Sequence, residues 1–235
     1  MSKLARCHIF LFLFSSACLL ACGPSIDKAA KADIDQRIAA LAHTGQTFSA
    51  PMGFVPKPLV VGQWTQHKLV NDKGEPALVT YKIVGEDSGA YWVEVANESY
   101  YGKTVTKILL FPGDRMNPNT MEIRTVKLKD KKGQVTEITG PMIRLMKSMW
   151  QSSINMLAVS WQGLPQESMP VIAGTFTGCF KARTDGSWGV WHAASTTWMH
   201  AIVPISGLVK SAGIDHPTTM ELVGFGETGA TSEIP

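Results

Sequence analysis

Cysteine is scarce in this 235-residue chain: there are four, and three of them, Cys7, Cys18 and Cys22, stand at the very start. With those three lost or blocked, as argued below, Cys179 is alone, which excludes a disulfide-stapled scaffold. Charge is sparse as well, at 17% of residues, and balanced, since 22 basic against 19 acidic side chains leave a net +3. No basic excess marks a nucleic-acid footprint, so no nucleic-acid partner is expected. Beyond position 21 no apolar run is long enough for a transmembrane helix. Also missing are a Gly-x-Ser-x-Gly elbow, a Gly-rich phosphate loop, His-Glu-x-x-His and Cys-x-x-Cys. The chain is therefore not read as an enzyme. What it does have is 45% hydrophobic residues, enough at this length to bury a full core.

The first 21 residues carry Lys3 and Arg6 and then an apolar run from His8 to Ala21 that is too short to span a bilayer. That pattern predicts a cleaved export signal over 1–21. It ends in Leu19-Leu20-Ala21-Cys22-Gly23, which resembles the lipobox of bacterial lipoproteins. The chemistry explains the residue types: the Cys22 thiol takes a diacylglycerol, the small Ala21 admits the signal peptidase, and the freed amine of Cys22 takes an N-acyl group. That covalent lipid on Cys22 is the one prosthetic group expected. Cys18, after Ser-Ser-Ala, is a poorer second lipobox, and the bland alternative is an ordinary signal peptide with a cysteine at its cleavage site.

Each buried acyl CH₂ contributes ~0.8 kcal/mol, so two or three chains anchor stably and the membrane itself is a partner. Gly23 stands where Asp would retain an enterobacterial lipoprotein at the inner membrane, which points to the outer membrane, periplasmic face. Loss of Lys3 and Arg6 would leave 20 − 19 = +1 on the mature chain.

From Ser25 to Leu41 the apolar residues Ile26, Ala30, Ile34, Ile38 and Leu41 recur at helical spacing, with Ser25 as N-cap. One amphipathic helix is predicted, belonging to an anchor segment 22–42 and either docked on the domain or serving as a stalk. Residues 43–61 turn to Gly, Thr, Ser and Pro and read as a linker. The body, 62–235, shows β-rich runs at 63–70, 77–84, 90–96, 104–111, 120–129 and 135–139. Between several of them stand Asn71-Asp-Lys-Gly74, Glu86-Asp-Ser-Gly89 and Asp130-Lys-Lys-Gly133. Each divider places Gly where a hairpin needs positive φ, and successive hairpins make an antiparallel meander. The lysines around Asp130 read as a solvated hairpin tip, or as a patch for anionic lipid or a partner.

One segment breaks the period of two. Pro141 to Leu157 places Met142, Leu145, Met146, Met149, Ser153, Met156 and Leu157 on one helical face. Strands resume at 171–183, turn at Asp185-Gly186, and continue through 188–194, 196–203, 207–211 and 219–225. The predicted fold class is mainly β: a curved antiparallel half-barrel of about ten strands, covered by the internal Met-rich helix and preceded by the N-terminal helix.

The last third carries Val171-Ile-Ala-Gly-Thr-Phe176, Trp198, Val203-Pro-Ile-Ser-Gly-Leu-Val-Lys-Ser211 and Met220-Glu-Leu-Val-Gly-Phe-Gly226. Their order resembles bacterial envelope lipoproteins that end in an Ala-Gly-Thr-Phe strand and a Gly-Leu-Val-Lys strand. Those are in turn similar to the half-barrels of the periplasmic (Lol-type) lipoprotein carriers and their outer-membrane receptor. The resemblance implies a curved sheet closed by helices around acyl chains, and it brings no catalytic residues.

Individual chemical candidates are few. Cys179 lies in a strand-like stretch and reads as a small buried hydrophobe rather than a nucleophile. His192 and His200, with Ser195 between them, are a weak metal pair. Asp114-Arg115 reads as a charged turn. The eleven Met and seven Trp build adaptable apolar surface. Met142, Met146, Met149 and Trp150 either line a cavity for acyl chains or fill the core. Two functions follow: a membrane-anchored module that binds a lipid or another amphipathic envelope component, or a scaffold lipoprotein contacting another envelope protein.

Overall fold

The structure, a computed structural model, describes residues 25–49, 57–113, 120–139, 143, 163–188 and 191–235, with the backbone alone for 184–188 and 191–193. Helix α1 (Lys28–Ala39) opens it. Asp27, not Ser25, is its N-cap, accepting from the amides of Ala29 at 2.9 Å and Ala30 at 3.1 Å. Its carboxylate reaches two of the first-turn donors that a helix leaves unpaired. The expected apolar stripe reduces to one buried side chain, Ile34, while Ile26 stays exposed. Polar contacts do most of the docking instead: Asp27 N–H donates to the Tyr100 carbonyl, Tyr100 Oη donates to Asp35, and Arg37 pairs with Glu98 at 2.6 Å.

Twelve strands follow: β1 (Thr47–Ser49), β2 (Trp64–Val70), β3 (Pro76–Asp87), β4 (Ala90–Ser99), β5 (Gly102–Phe111), β6 (Glu122–Lys129), β7 (Val135–Ile138), β8 (Gln166–Val171), β9 (Gly174–Trp188), β10 (Trp191–Met199), β11 (Leu208–Gly213) and β12 (Thr219–Gly226). They form one open sheet in the order β1-β9-β10-β11-β12-β2-β3-β4-β5-β6-β7, with β8 added against β9. All pairings are antiparallel except β1 with β9. The chain is mainly β, and β2 through β7 are the expected meander of sequential hairpins. The Asp130 segment is a hairpin tip, its carboxylate accepting the amides of Lys132 and Gln134.

The strand count is twelve rather than about ten, for two local reasons. Residues 43–61, read as a linker, contribute β1, which the sequence hides because three residues have no period. The run expected at 171–183 is mostly β9, and ahead of it stands a hairpin partner, β8, which is mostly exposed and so carries no hydrophobic signal. The turn of that hairpin requires Gly174, at φ 141°, where a Cβ would lie 2.7 Å from the Gln46 carbonyl. Two further boundaries move. β9 runs through Asp185-Gly186 to Trp188, and the pieces expected at 188–194 and 196–203 are one strand, β10, followed by a loop over 200–207. The predicted Met-rich helix falls outside the described residues, apart from the helical Ile143.

Among the described residues, two large clusters make up most of the core. One cluster spans β2 to β6 with Leu69, Val79, Ile83, Val95, Ile108 and Val126, and Ile205 from the 200–207 loop packs against it. Ile205 holds φ 63°, a left-handed conformation that a β-branched residue adopts only under constraint. The second cluster joins β8 and β9 to β11 and β12 through Val171, Phe176, Cys179, Val209 and Leu222. Phe176 is fully buried, stacked on Phe48 of β1 at 4.7 Å, so the unexpected first strand anchors this second core.

Candidate functional site

Because side chains alternate along a strand, β2 to β5 present two chemically distinct faces. On one, the register aligns Lys82, Glu94, Lys107 and Lys127 in a row across β3 to β6. This face is covered by α1 and by the C-terminal residues. Glu94 is fully buried and accepts from Ser232 Oγ at 2.5 Å, Glu233 N at 2.8 Å and Ile234 N at 3.0 Å. Lys107 donates to the Ile234 carbonyl and to Ser232 Oγ, and Lys82 and Lys103 pair with Glu233. Ile234 is itself fully buried, packed with Ala96 and Val105. Burial holds the Lys107 ammonium below its ordinary pKa, against the pull of Glu94. A buried carboxylate this well satisfied is a structural clamp, and its partners come from the chain itself.

The other face carries the first core cluster and is the candidate site. Two adjacent rows cross it: Thr65, Tyr81, Val95, Thr106 and Leu128, and beside them His67, Val79, Asn97 and Thr104. Four polar atoms in these rows are buried with no hydrogen-bond partner among the described residues: Thr65 Oγ1, His67 Nδ1, Asn97 Oδ1 and Thr106 Oγ1. Buried polar groups are nearly always paired, and leaving one bare costs ~1–3 kcal/mol, so four on one patch is a departure that calls for a reason. Among the described residues of β2 to β5, the one charged side chain on this face is Glu86, which lies opposite Tyr91 beyond a bulge and is exposed near the end of β3.

His67 has a defined tautomer. Its Nε2 lies 3.1 Å from the Leu208 carbonyl, which can only accept, so Nε2 carries the hydrogen. Nδ1 is then a bare acceptor. Burial pushes the imidazole pKa down to about 4, with the Leu208 bond opposing, so the ring is neutral near pH 7. The Tyr81 ring meets it edge-on at 5.9 Å, and burial raises the Tyr81 phenol far above its usual range. Both stay uncharged around neutrality.

The residues singled out in the sequence distribute differently. Cys22, Met142, Met146, Met149, Trp150, Asp114 and Arg115 lie outside the described residues. Cys179 is buried, donates to the Phe176 carbonyl and has its thiol pKa pushed up to about 12, chiefly by burial, which makes it inert near neutral pH. His200 is buried too: its Nε2 donates to the Thr177 carbonyl at 3.1 Å and its Nδ1 accepts from Ile202 N at 3.4 Å. Both nitrogens are engaged in fastening the 200–207 loop, which leaves neither for a metal, and His192 is described by backbone alone. Among the described residues no three His, Cys, Asp or Glu gather into a metal-holding group, and no helix is long and apolar enough to cross a membrane.

Sequence reasoning missed His67, Asn97 and the two threonines because each sits in an alternating strand where a polar residue reads as solvent-facing. Parity held the signal: His67 shares its phase with Leu69, and Thr106 shares its phase with Ile108 and Leu110, positions that the apolar members mark as inward. Compared with known proteins, the chain matches no family model, no curated protein and no solved structure.

Proposed function

We propose that the chain is a lipid-anchored periplasmic lipoprotein of the bacterial outer membrane whose half-barrel interior binds a lipid or another amphipathic envelope component. The observation that supports this is the mixed character of the core-bearing face, apolar over most of β2 to β6 and interrupted by four buried, unpartnered polar atoms. Ligand sites of this kind are mainly hydrophobic, with a few convergent polar groups that fix orientation. On the opposite face the buried carboxylate is satisfied by the C-terminal residues, whereas the unpartnered polar atoms all lie on the interior face.

The anchor belongs to the same proposal. Cells fed a fatty-acid analogue are expected to label the wild-type protein and not Cys22→Ala; label retained on the variant would remove the anchor. A second reading, a scaffold contacting another envelope protein, draws on the open edge of the sheet. Strand β7 pairs only with β6 among the described strands and leaves Val135 exposed. An unpaired edge of this kind is a ready template for a strand from a partner.

A further inference from the structure

We infer that the ligand of the core-bearing face is uncharged and presents a hydroxyl or amide N–H that donates to Nδ1 of His67. The inference rests on the proposal that this face binds an amphipathic molecule, and it narrows the polar part of that molecule.

The argument begins with the tautomer. With its one ring hydrogen committed to the Leu208 carbonyl, His67 can offer Nδ1 only as an acceptor. An ester, ether or carbonyl oxygen brought to this atom meets another lone pair, and only a donor satisfies it. The ring is fully buried, so a donor reaches Nδ1 only by entering the interior. Asn97 Oδ1 in the same row repeats the demand, and the hydroxyls of Thr65 and Thr106 in the neighbouring row can turn to donate or accept.

Charge is settled by what surrounds these atoms. The same face of β2 to β5 carries Leu69, Val79, Ile83, Val93, Val95 and Ile108 around the polar rows, while Glu94, Lys107, Lys82 and Glu98 all point from the other side of the sheet. The one charge these strands add to the face, Glu86, is exposed near the end of β3, so a carboxylate or ammonium head beside the polar rows would be desolvated without a buried counter-charge from them, which is strongly unfavourable. Monoacylglycerols, diacylglycerols and amide-linked or hydroxylated acyl chains share the required chemistry: an apolar body and a neutral donor.

The test uses the chain from Gly23, which keeps every described residue, titrated with three probes of one chain length and read by native mass spectrometry. Monooleoylglycerol offers hydroxyl donors, methyl oleate offers acceptors only, and oleate is an anion. Monooleoylglycerol is expected to bind at least tenfold tighter than either of the others, the effect of one buried acceptor left unpaired. His67→Phe is expected to bring monooleoylglycerol and methyl oleate within about threefold of each other. Nitrogen-detected NMR of wild-type His67 gives a second readout that needs no variant: hydrogen on Nε2, and a shift of Nδ1 when monooleoylglycerol binds.

Equal binding of all three probes, a preference for oleate, or hydrogen found on Nδ1 would overturn the inference while leaving an amphipath-binding interior intact. Failure of all three to bind would overturn both.

Discussion

Glu94→Ala is expected to lower the stability of the domain by about 3 kcal/mol, the cost of removing one partner from a buried ionic cluster. Glu94 is fully buried and takes two consecutive backbone amides and a hydroxyl from residues 232–234. Lys107, also buried, is 4.0 Å from it and depends on the same tail for its carbonyl partner. Alanine would leave those donors without their acceptor and the Lys107 ammonium without its counter-charge. Glu94→Gln, which keeps the shape and one acceptor oxygen, is expected to lose about half as much. Removing residues 231–235 exposes the site formerly covered by Ile234 and is expected to cost a similar amount to the alanine change.

Because these changes break one network, the truncated Glu94→Ala variant should be little worse than either alone, a coupling on the order of 2 kcal/mol. Urea unfolding of the four proteins measures it. Simple additivity, or an alanine variant as stable as the wild type, would show that the tail is not held by Glu94.

Acid should destabilise the protein well before its carboxylates titrate. His67 binds a proton near pH 6.5 when unfolded but only near pH 4 when folded. The unfolded state therefore takes up the extra proton between these values, and the stability His67 contributes is complete above pH 6.5 and lost as pH falls toward 4. That gap corresponds to roughly 3 kcal/mol. His200, also lowered by burial, acts with the same sign. Glu233 is held low by Lys103 and Lys82 against the opposing effect of its burial, so its share is lost below the usual carboxylate range. Urea midpoints measured from pH 7 to pH 4.5 should drop steeply in the wild type. In His67→Phe the slope should be shallower, by up to one proton's worth per molecule. An unchanged slope would mean that the folded state takes up the His67 proton as readily as the unfolded one, and the buried, desolvated ring assigned to the interior would go with it.

The meander was legible in the sequence because its elements obey strong local rules. Asn71-Asp-Lys-Gly74 and Asp130-Lys-Lys-Gly133 close hairpins by turn chemistry alone, and the alternation around Tyr81 and Val93 fixes which face is buried. What escaped depends on contacts between residues far apart in the chain. β1 exists because Thr47 to Ser49 find β9 more than 120 positions away. No element was expected beyond residue 225, yet Ile234 is buried where Glu94 and Lys107, 140 and 127 residues earlier, present the right groups to its backbone. Of the proposed site, the sequence named the interior of the sheet as a candidate surface, while its Met and Trp residues at 142–150 lie outside the described residues. The polar rows around His67 could be found only by following strand parity across four neighbouring strands.

The most direct measurement is native mass spectrometry of the chain from Gly23, produced in a bacterial periplasm and purified without detergent. A discrete bound mass that disappears on solvent extraction, and that fragments to a neutral amphipath, is the expected result and would name the ligand. A clean apo mass, with no uptake of any offered lipid, would contradict the proposal that the interior is a binding site and turn the search to protein partners at the β7 edge.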